Sequence, residues 1–323
     1  EVITPNAAFQ ARHGFSNTNT LEGLDLIMPR FGFNFEVPED IEIGGFSTNG
    51  ITLRGGYGRF SGGNPIVWIS NSYSNNGVTI DSVFLGGPIN NVDARILPVA
   101  ATSALTAGDG SVNALAADFE IPSVWRLSLG TDIEFDIFES ENWLFTFDAL
   151  FDQQDAAPFW SDAGCGAPVS TSPVDGRPIY NCSTARQDII LSNTDLGQSR
   201  ILAFSLQNEW DNGVSFWGSY ANQDITDAHS GTSSTATSNY SDYATFDRQT
   251  PREATSNYEI EHEFKSRLGW RHSFYEDYET RVELFMTHRS GRHFSYTYGY
   301  SNGLGNQYRN QSPFGIHESA ADD

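Results

Sequence analysis

Several short patterns in this 323-residue sequence carry residue types that can do chemistry. The segment 54–63 is rich in glycine, and such a segment can cradle a phosphate when a helix follows it. The residues at 64–69 do not have a helical pattern, so no helix is expected there. Glycine in a strand permits bending or close packing. We therefore predict that these glycines belong to a strand and bind no nucleotide.

Two pairs of carboxylates have a spacing that a glycosidase could use, Asp148 with Asp152 and Glu134 with Asp136. Each pair falls in a run of regularly alternating polar residues, which is typical of the polar side of a strand. The seven histidines show no metal-ligand spacing on a helix, and no Gly-x-Ser-x-Gly elbow is present. The sequence therefore predicts no enzyme activity, no metal site and no cofactor.

The composition excludes other classes of protein. Asp and Glu number 41 against 18 Lys and Arg, which gives a net charge of −23. A phosphate backbone needs a basic surface, so a nucleic-acid partner is not expected. With 30 Gly and 13 Pro, the chain is expected to make many turns and few long helices. It also lacks the run of about 18 apolar residues that a transmembrane helix needs.

The two cysteines, Cys165 and Cys182, lie in one polar segment that is rich in Pro and Gly. A single close pair in a loop indicates a disulfide bond made in an oxidising compartment. Two free thiols are the alternative. We predict the disulfide, because nothing nearby resembles a metal site.

The clearest structural pattern is a strict alternation of apolar and polar residues over 124–137. Such alternation predicts a strand with one apolar and one polar face, here longer than usual. The same pattern recurs and predicts four hairpins, which join 30–36 to 51–60, 124–137 to 143–152, 202–210 to 214–220, and 260–274 to 278–289. Tight turns are expected at 211–213 and 276–277.

Short turns within the hairpins alternate with long connections between them, at 61–123, 153–199 and 223–259. Long connections of this kind are uncommon in compact soluble domains, but they are expected outside an outer-membrane β-barrel. The pattern predicts an all-β fold, an antiparallel transmembrane β-barrel segment of about eight long strands with short turns on one side and long loops on the other. A soluble β-sandwich with an aromatic core is the alternative.

Aromatic residues near the strand ends fit the girdles that such barrels place at the two membrane interfaces. The girdle is predicted to contain Trp125, Trp143, Trp210, Trp270, Phe274, Tyr275 and Tyr278.

Several segments resemble strands of the TonB-dependent receptors, specifically the Oar-like barrels. They are residues 29–35, 53–65, 67–75, 121–127 and 290–297. Residues 233–239 and 251–254 are similar to a long external loop of that family. Each motif is short, but their number and order extend the resemblance from about Pro29 to about Gly315.

The chain also departs from the family pattern. Members of the family carry an N-terminal carboxypeptidase-regulatory-like domain, a TonB box, a plug and a barrel of about 22 strands. Only about eight strands are expected here, so residues 1–323 are interpreted as a partial barrel domain without the plug and the terminal strands. No residue can then be assigned to energised gating.

The resemblance implies an outer-membrane receptor of a Gram-negative bacterium that takes up a large or scarce nutrient, such as a siderophore, peptide or oligosaccharide. Its implied partners are outer-membrane lipid, this nutrient, and the TonB complex through the missing parts. The residues proposed to bind the ligand in the loops are Trp68, Asn71, Tyr73, Trp160, Tyr180 and Tyr240. Packing of the loops is the alternative role for each of them. A surface adhesin or a secreted carbohydrate-binding β-sandwich is the alternative function.

Overall fold

A computed structural model describes residues 2–63, 65–80, 95, 108–173, 175–182, 186–275 and 278–296. The described fold is predominantly antiparallel β. The strands are β1 (Arg30–Glu36), β2 (Glu42–Ile43), β3 (Phe46–Ser61), β4 (Val112–Leu115), β5 (Ser123–Ile137), β6 (Ser140–Gln154), β7 (Ala157–Asp162), β8 (Ser170–Thr171), β9 (Pro178–Ile179), β10 (Asp188–Thr194), β11 (Gly197–Glu209), β12 (Val214–Asp227), β13 (Ala254–Thr255), β14 (His262–Tyr275) and β15 (Tyr278–Arg289). The helices are α1 (Ala7–His13), α2 (Ile66–Ser74) and α3 (Ala236–Ser241), with a 3-10 turn at Ala163–Cys165.

Eight strands form one large antiparallel sheet in the order β1-β3-β5-β6-β11-β12-β14-β15, with β2 and β13 as short additions. The four hairpins predicted from the sequence are confirmed, because their strand pairs are direct neighbours in this sheet. The predicted turn at 276–277 and the last residue of the motif at 290–297 lie outside the described residues.

Glycines serve the sheet at two positions where a side chain would not fit. Gly213 has a φ of +83° in the turn between β11 and β12, and a Cβ there would lie 2.0 Å from the Arg271 carbonyl oxygen. Gly55 lies in β3, where a Cβ would lie 2.6 Å from the ring of Phe33 on β1. The glycines of residues 55–58 therefore belong to a strand, as the sequence predicts.

One face of the large sheet is apolar and is not covered by the described part of the chain. The register places Phe147, Phe204 and Tyr220 side by side on neighbouring strands. Phe204 is 46% exposed and Leu284 is 71% exposed. The sheet is therefore not half of a closed sandwich core within the described residues.

The opposite face carries pairs of opposite charges. Arg54 bonds Asp148 across strands at 2.7 Å, and Arg126 bonds Asp152 at 2.7 Å. Asp148 and Asp152, which have the spacing of a carboxylate pair in the sequence, are thus both partners of arginines. Lys265 pairs with Glu263 along β14 at 2.7 Å. This face is mainly polar and is compatible with water, although Trp217 and Phe285 also lie on it beside Arg267.

A second, smaller sheet contains most of the buried core. Its order is β4-β10-β7, in which β10 runs parallel to β4 and antiparallel to β7. These strands come from connections that the sequence analysis treats as irregular loops, so that interpretation is wrong for them. The strands β4 and β10 are held together because Leu115, Ile189 and Leu191 are buried in one cluster.

The prediction of no helix at 64–69 is also wrong, because α2 spans Ile66–Ser74. Its β-branched residues weaken the helical propensity, but packing overrides propensity. Ile69 joins the buried cluster that contains Trp160, and Trp68 packs against that cluster. Among the described helices, none is long and apolar enough to cross a membrane.

Candidate ligand-binding cap

The connections at one end of the large sheet fold together into a unit that we call the cap. At this end β3 and β6 finish, β5 and β11 begin, and the short hairpin turns lie at the opposite end. The cap consists of residues 2–24, 65–80, 108–122, 155–173, 175–182, 186–196 and 228–260. All of its segments therefore enter and leave through the same end of the sheet.

Two clusters of buried side chains hold the cap together. The first surrounds Trp160, which is 1% exposed and packs with Leu115, Ile189 and Tyr240. The second is built by Phe9 of α1, which packs against Val112, Ala114 and Ile190. Burial of such large apolar side chains is the main stabilising term in a water-soluble fold.

Polar contacts stabilise both ends of helix α1 within the cap. Asn6 caps its N-terminus by accepting a hydrogen bond from the Phe9 amide at 2.9 Å. At the other end, Arg12 and His13 contact the buried carboxylate of Asp188, at 3.1 Å and 2.7 Å. Arg12 also pairs with Asp109. These charges are placed where a helix C-terminus favours cations.

A second buried carboxylate, Asp162, lies beside Asp188. Burial, together with the negative charge of Asp188, raises the pKa of Asp162 to about 6. The amides of Gly164 and Asp188 donate hydrogen bonds to Asp162 Oδ1, at 2.9 Å and 3.1 Å, and these bonds oppose the rise. Asp162 therefore titrates near neutrality, unlike an ordinary aspartate.

His229 lies at the centre of a group of aromatic rings. Its ring is 4.6 Å from that of Trp160 and 4.2 Å from that of Tyr243. The Gly231 amide donates to Nδ1 at 2.9 Å, so Nε2 carries the proton that is donated to the Asn239 carbonyl at 2.8 Å. Burial lowers the pKa of His229 to about 4. His229 is therefore a neutral structural residue, with no nitrogen free to act as a base.

Cys165 and Cys182 form a disulfide bond, 17 residues apart in sequence. The bond closes the loop that contains the short β8–β9 hairpin. Cys165 is buried and Cys182 is half-buried. The bridge thus joins two segments of the cap.

A cavity of about 400 Å³ lies at the junction of the cap and the large sheet. Its lining includes Trp68 and Pro65 from the cap and Asp227 from the end of β12. The indole nitrogen of Trp68 donates to the Ser233 carbonyl at 2.7 Å, which fixes the ring. A second, more open cavity of about 850 Å³ lies between the N-terminal segment and α2, beside Tyr73.

The structure brings five of the six predicted ligand-binding residues together around the core of the cap. Trp160 and Tyr240 are buried inside it. Asn71 joins α2 to the segment before α3, because it donates to the Ser234 carbonyl at 2.9 Å. Trp68 and Tyr73 pack on the same cluster and also line cavities, whereas Tyr180 donates to Asp247 at 3.1 Å. Of the six residues, Trp68 and Tyr73 therefore line described cavities.

The residues predicted as an aromatic girdle all lie on strands or turns of the large sheet. At the short-turn end, Trp143 and Trp210 meet edge to face with ring centres 5.6 Å apart, and both donate to Ser140 Oγ. In β14, Trp270 contacts Phe274, and Tyr275 contacts Tyr278 at the start of β15. At the cap end, Trp125 stacks on Tyr57 at 5.3 Å.

The sequence analysis missed several members of these groups. Phe46 and Phe135 extend the row at the short-turn end, with ring centres 5.3 Å apart. Asp227 of the cap junction is the last residue of β12, and His229 lies two residues after it. A charged residue and a histidine at the point where a long strand enters a loop were the available signal for this site.

Within the described part of the chain, no group of three His, Cys, Asp or Glu side chains could hold a metal ion. A comparison with models of known protein families gave no match, and neither did a comparison with curated proteins.

Proposed function

We propose that the large sheet is a segment of a transmembrane β-barrel in an outer membrane and that the chain is part of a TonB-dependent receptor. The observation that carries this proposal is the location of the apolar surface. The cap buries two apolar clusters, around Trp160 and Phe9, whereas the sheet presents Phe204, Leu268 and Leu284 to its surroundings. Lipid is a medium in which such a face is stable.

The dimensions of the apolar face support a bilayer as its surroundings. Trp125 and Phe135 lie on this face of β5, ten residues apart and near its two ends. At about 3.3 Å per residue they are separated by about 33 Å along the strand. A strand tilt of about 40° reduces this to a height of about 25 Å, which is the height of the apolar band in outer-membrane barrels.

The opposite face supports a water-filled interior. It carries the ion pairs of Arg54 on β3 and Arg126 on β5 with carboxylates on β6. A charge facing lipid at the bilayer midplane costs about 2–4 kcal/mol, so such pairs belong on the lumen side. The alternation of the strands then directs most charged side chains to the inside and most aromatic side chains to the outside, with Trp217 and Phe285 as exceptions on the polar face.

In this arrangement the cap is the external part that meets the ligand. It is ordered by two apolar clusters and a disulfide bond, and the disulfide is typical of an oxidising compartment. The resemblance to Oar-like receptors supports capture of a large or scarce nutrient, followed by passage through the barrel. Energy from the TonB complex would act through parts outside this chain.

Cell fractionation tests the proposal directly. We expect the protein in the outer-membrane fraction, resistant to carbonate extraction and soluble only with detergent. We also expect faster electrophoretic migration of unheated samples, since folded barrels resist SDS. A monomer that is soluble without detergent would contradict the proposal and favour the adhesin or the carbohydrate-binding sandwich.

A further inference from the structure

The cavity at the junction of cap and sheet has mostly apolar walls. Its described lining includes Val67, Trp68, Pro122, Pro158 and Leu196. A volume of about 400 Å³ is within the range of cavities that hold small organic ligands. The walls therefore suit a ligand group with an apolar body.

One charged group breaks this apolar surface. Asp227 is the single carboxylate among the described lining residues, and none of those residues is Lys or Arg. Asp227 is half-buried, and its hydrogen-bond donor is the neutral hydroxyl of Ser256. Arg59, on the strand that leads into this cavity, bonds Asp155 instead at 2.6 Å.

The histidine in the lining does not supply the missing positive charge. Both ring nitrogens of His229 are already engaged, with Gly231 and Asn239, and the ring is neutral above a pH of about 4. A carboxylate removed from water without a counter-charge is unfavourable. A cationic ligand would provide that counter-charge.

We propose that this cavity binds a ligand with an ammonium or guanidinium group on an apolar body, with the cation against Asp227 and the body against Trp68. Carboxylate and indole are both groups that attract such a cation. The net charge of −23 favours the approach of cations to the protein. The inference rests on the proposed function, since it names the class of ligand that the cap would capture.

Binding of three matched probes to the full-length protein in lipid nanodiscs tests this inference. The probes are phenylalanine amide, which is a cation, its neutral N-acetyl derivative, and N-acetylphenylalanine, which is an anion. By calorimetry or ligand-observed NMR, we expect the cation to bind at least about ten-fold more tightly than the other two. Equal binding of the cation and the neutral probe, or no binding of any probe, would overturn the inference.

Two matched variants locate the site. Asp227→Asn keeps the size of the side chain and removes its charge, so the preference for the cation should disappear. Asp195→Asn removes one charge from an exposed residue next to the lining residue Leu196, and affinity should stay within about two-fold. The inference is wrong if the two variants behave alike.

A third variant covers the case in which Asp227→Asn does not fold. Ala157→Leu places extra volume in the cavity and leaves Asp227 intact, so binding should be lost while the disulfide remains formed. Unchanged binding would overturn the inference.

Lipid contact of the sheet is measured in a separate experiment. A protein that contacts lipid but shows no preference for the cation would refute only this site. A cation preference without lipid contact refutes only the barrel.

Discussion

Trp160 and Phe204 are aromatic residues in antiparallel strands, but Trp160 is 1% exposed and Phe204 is 46% exposed. Trp160 belongs to the cap, whose apolar side chains meet one another in the manner of a soluble domain. Phe204 belongs to the large sheet, whose apolar side chains face outwards. The comparison shows that the cap has a buried core of its own, whereas the sheet carries apolar side chains that the described residues leave exposed.

The largest expected effect comes from removing the core of the cap. Trp160→Ala should destabilise the cap by about 3–5 kcal/mol, because a large buried side chain is replaced by a cavity. Hydrogen exchange of the β4, β7 and β10 amides should accelerate, while the large sheet stays protected. The control is Trp143→Ala on the half-exposed face of β6. Equal effects of the two variants on the cap would remove the distinction between the regions.

A charge on the apolar face should affect the sheet and leave the cap intact. Phe204 lies near the middle of β11, so Phe204→Arg should cost about 2–4 kcal/mol for folding into lipid vesicles. Ser205→Arg, one residue further and on the opposite face, is the matched control and should cost much less. Urea titration of vesicle-bound protein measures both. A greater loss for Ser205→Arg would mean that the faces are assigned the wrong way round.

Loss of the disulfide should act only on the cap. Cys165→Ala combined with Cys182→Ala opens a loop whose ends are 17 residues apart, which corresponds to about 3 kcal/mol of loop-closure entropy. Proteolysis within residues 165–182 should accelerate, and migration of the unheated barrel on SDS gels should not change. A change in that migration would show that the two regions are coupled more tightly than proposed.

The smallest expected effect is the pH dependence of the intact cap. Asp162 has a raised pKa of about 6, so its stabilising contribution is full below about 4 and is lost as pH rises to 6. His229 has a lowered pKa of about 4, so its contribution is full above about 6.5 and is lost as pH falls to 4. The two contributions oppose each other, and the stability of the cap should change by less than about 1 kcal/mol in this window.

Single variants should reveal the two opposed contributions. With Asp162→Asn, the cap should lose stability as pH falls from 6.5 to 4, because the contribution of His229 is no longer offset by that of Asp162. With His229→Gln, the cap should gain stability over the same fall, because the contribution of Asp162 is no longer offset by that of His229. Hydrogen exchange of β10 amides reports both slopes. Slopes of the same sign would contradict these assignments.

The large sheet was predictable because its signal is local. Alternation over 124–137 corresponds to β5, and the Asp211–Gly213 turn requires a glycine that the sequence supplies. A strand with one apolar and one polar face has a period of two in its own residues. Each hairpin could therefore be predicted without knowledge of the rest of the fold.

The cap was not predictable, because its order comes from contacts between distant segments. The strands β4 and β10 pair in parallel, so Val112 lies beside Asp188. Several other strands separate these two residues in the sequence. Helix α2 forms against Leu115 and Trp160 rather than from its own propensity. The sequence analysis chose the candidate ligand residues by their residue type. No local sequence pattern shows that Trp160 and Tyr240 are buried while Trp68 lines a cavity.

The central claim is that the apolar face of the sheet contacts lipid, and adjacent labels on β11 test it most directly. The two natural cysteines are bonded to each other, so a fluorophore can be attached at Phe204→Cys or Ser205→Cys alone. In vesicles, we expect brominated lipid to quench the label at 204 and aqueous iodide to quench the label at 205. If iodide quenches both labels and brominated lipid quenches neither, the sheet does not lie in a membrane.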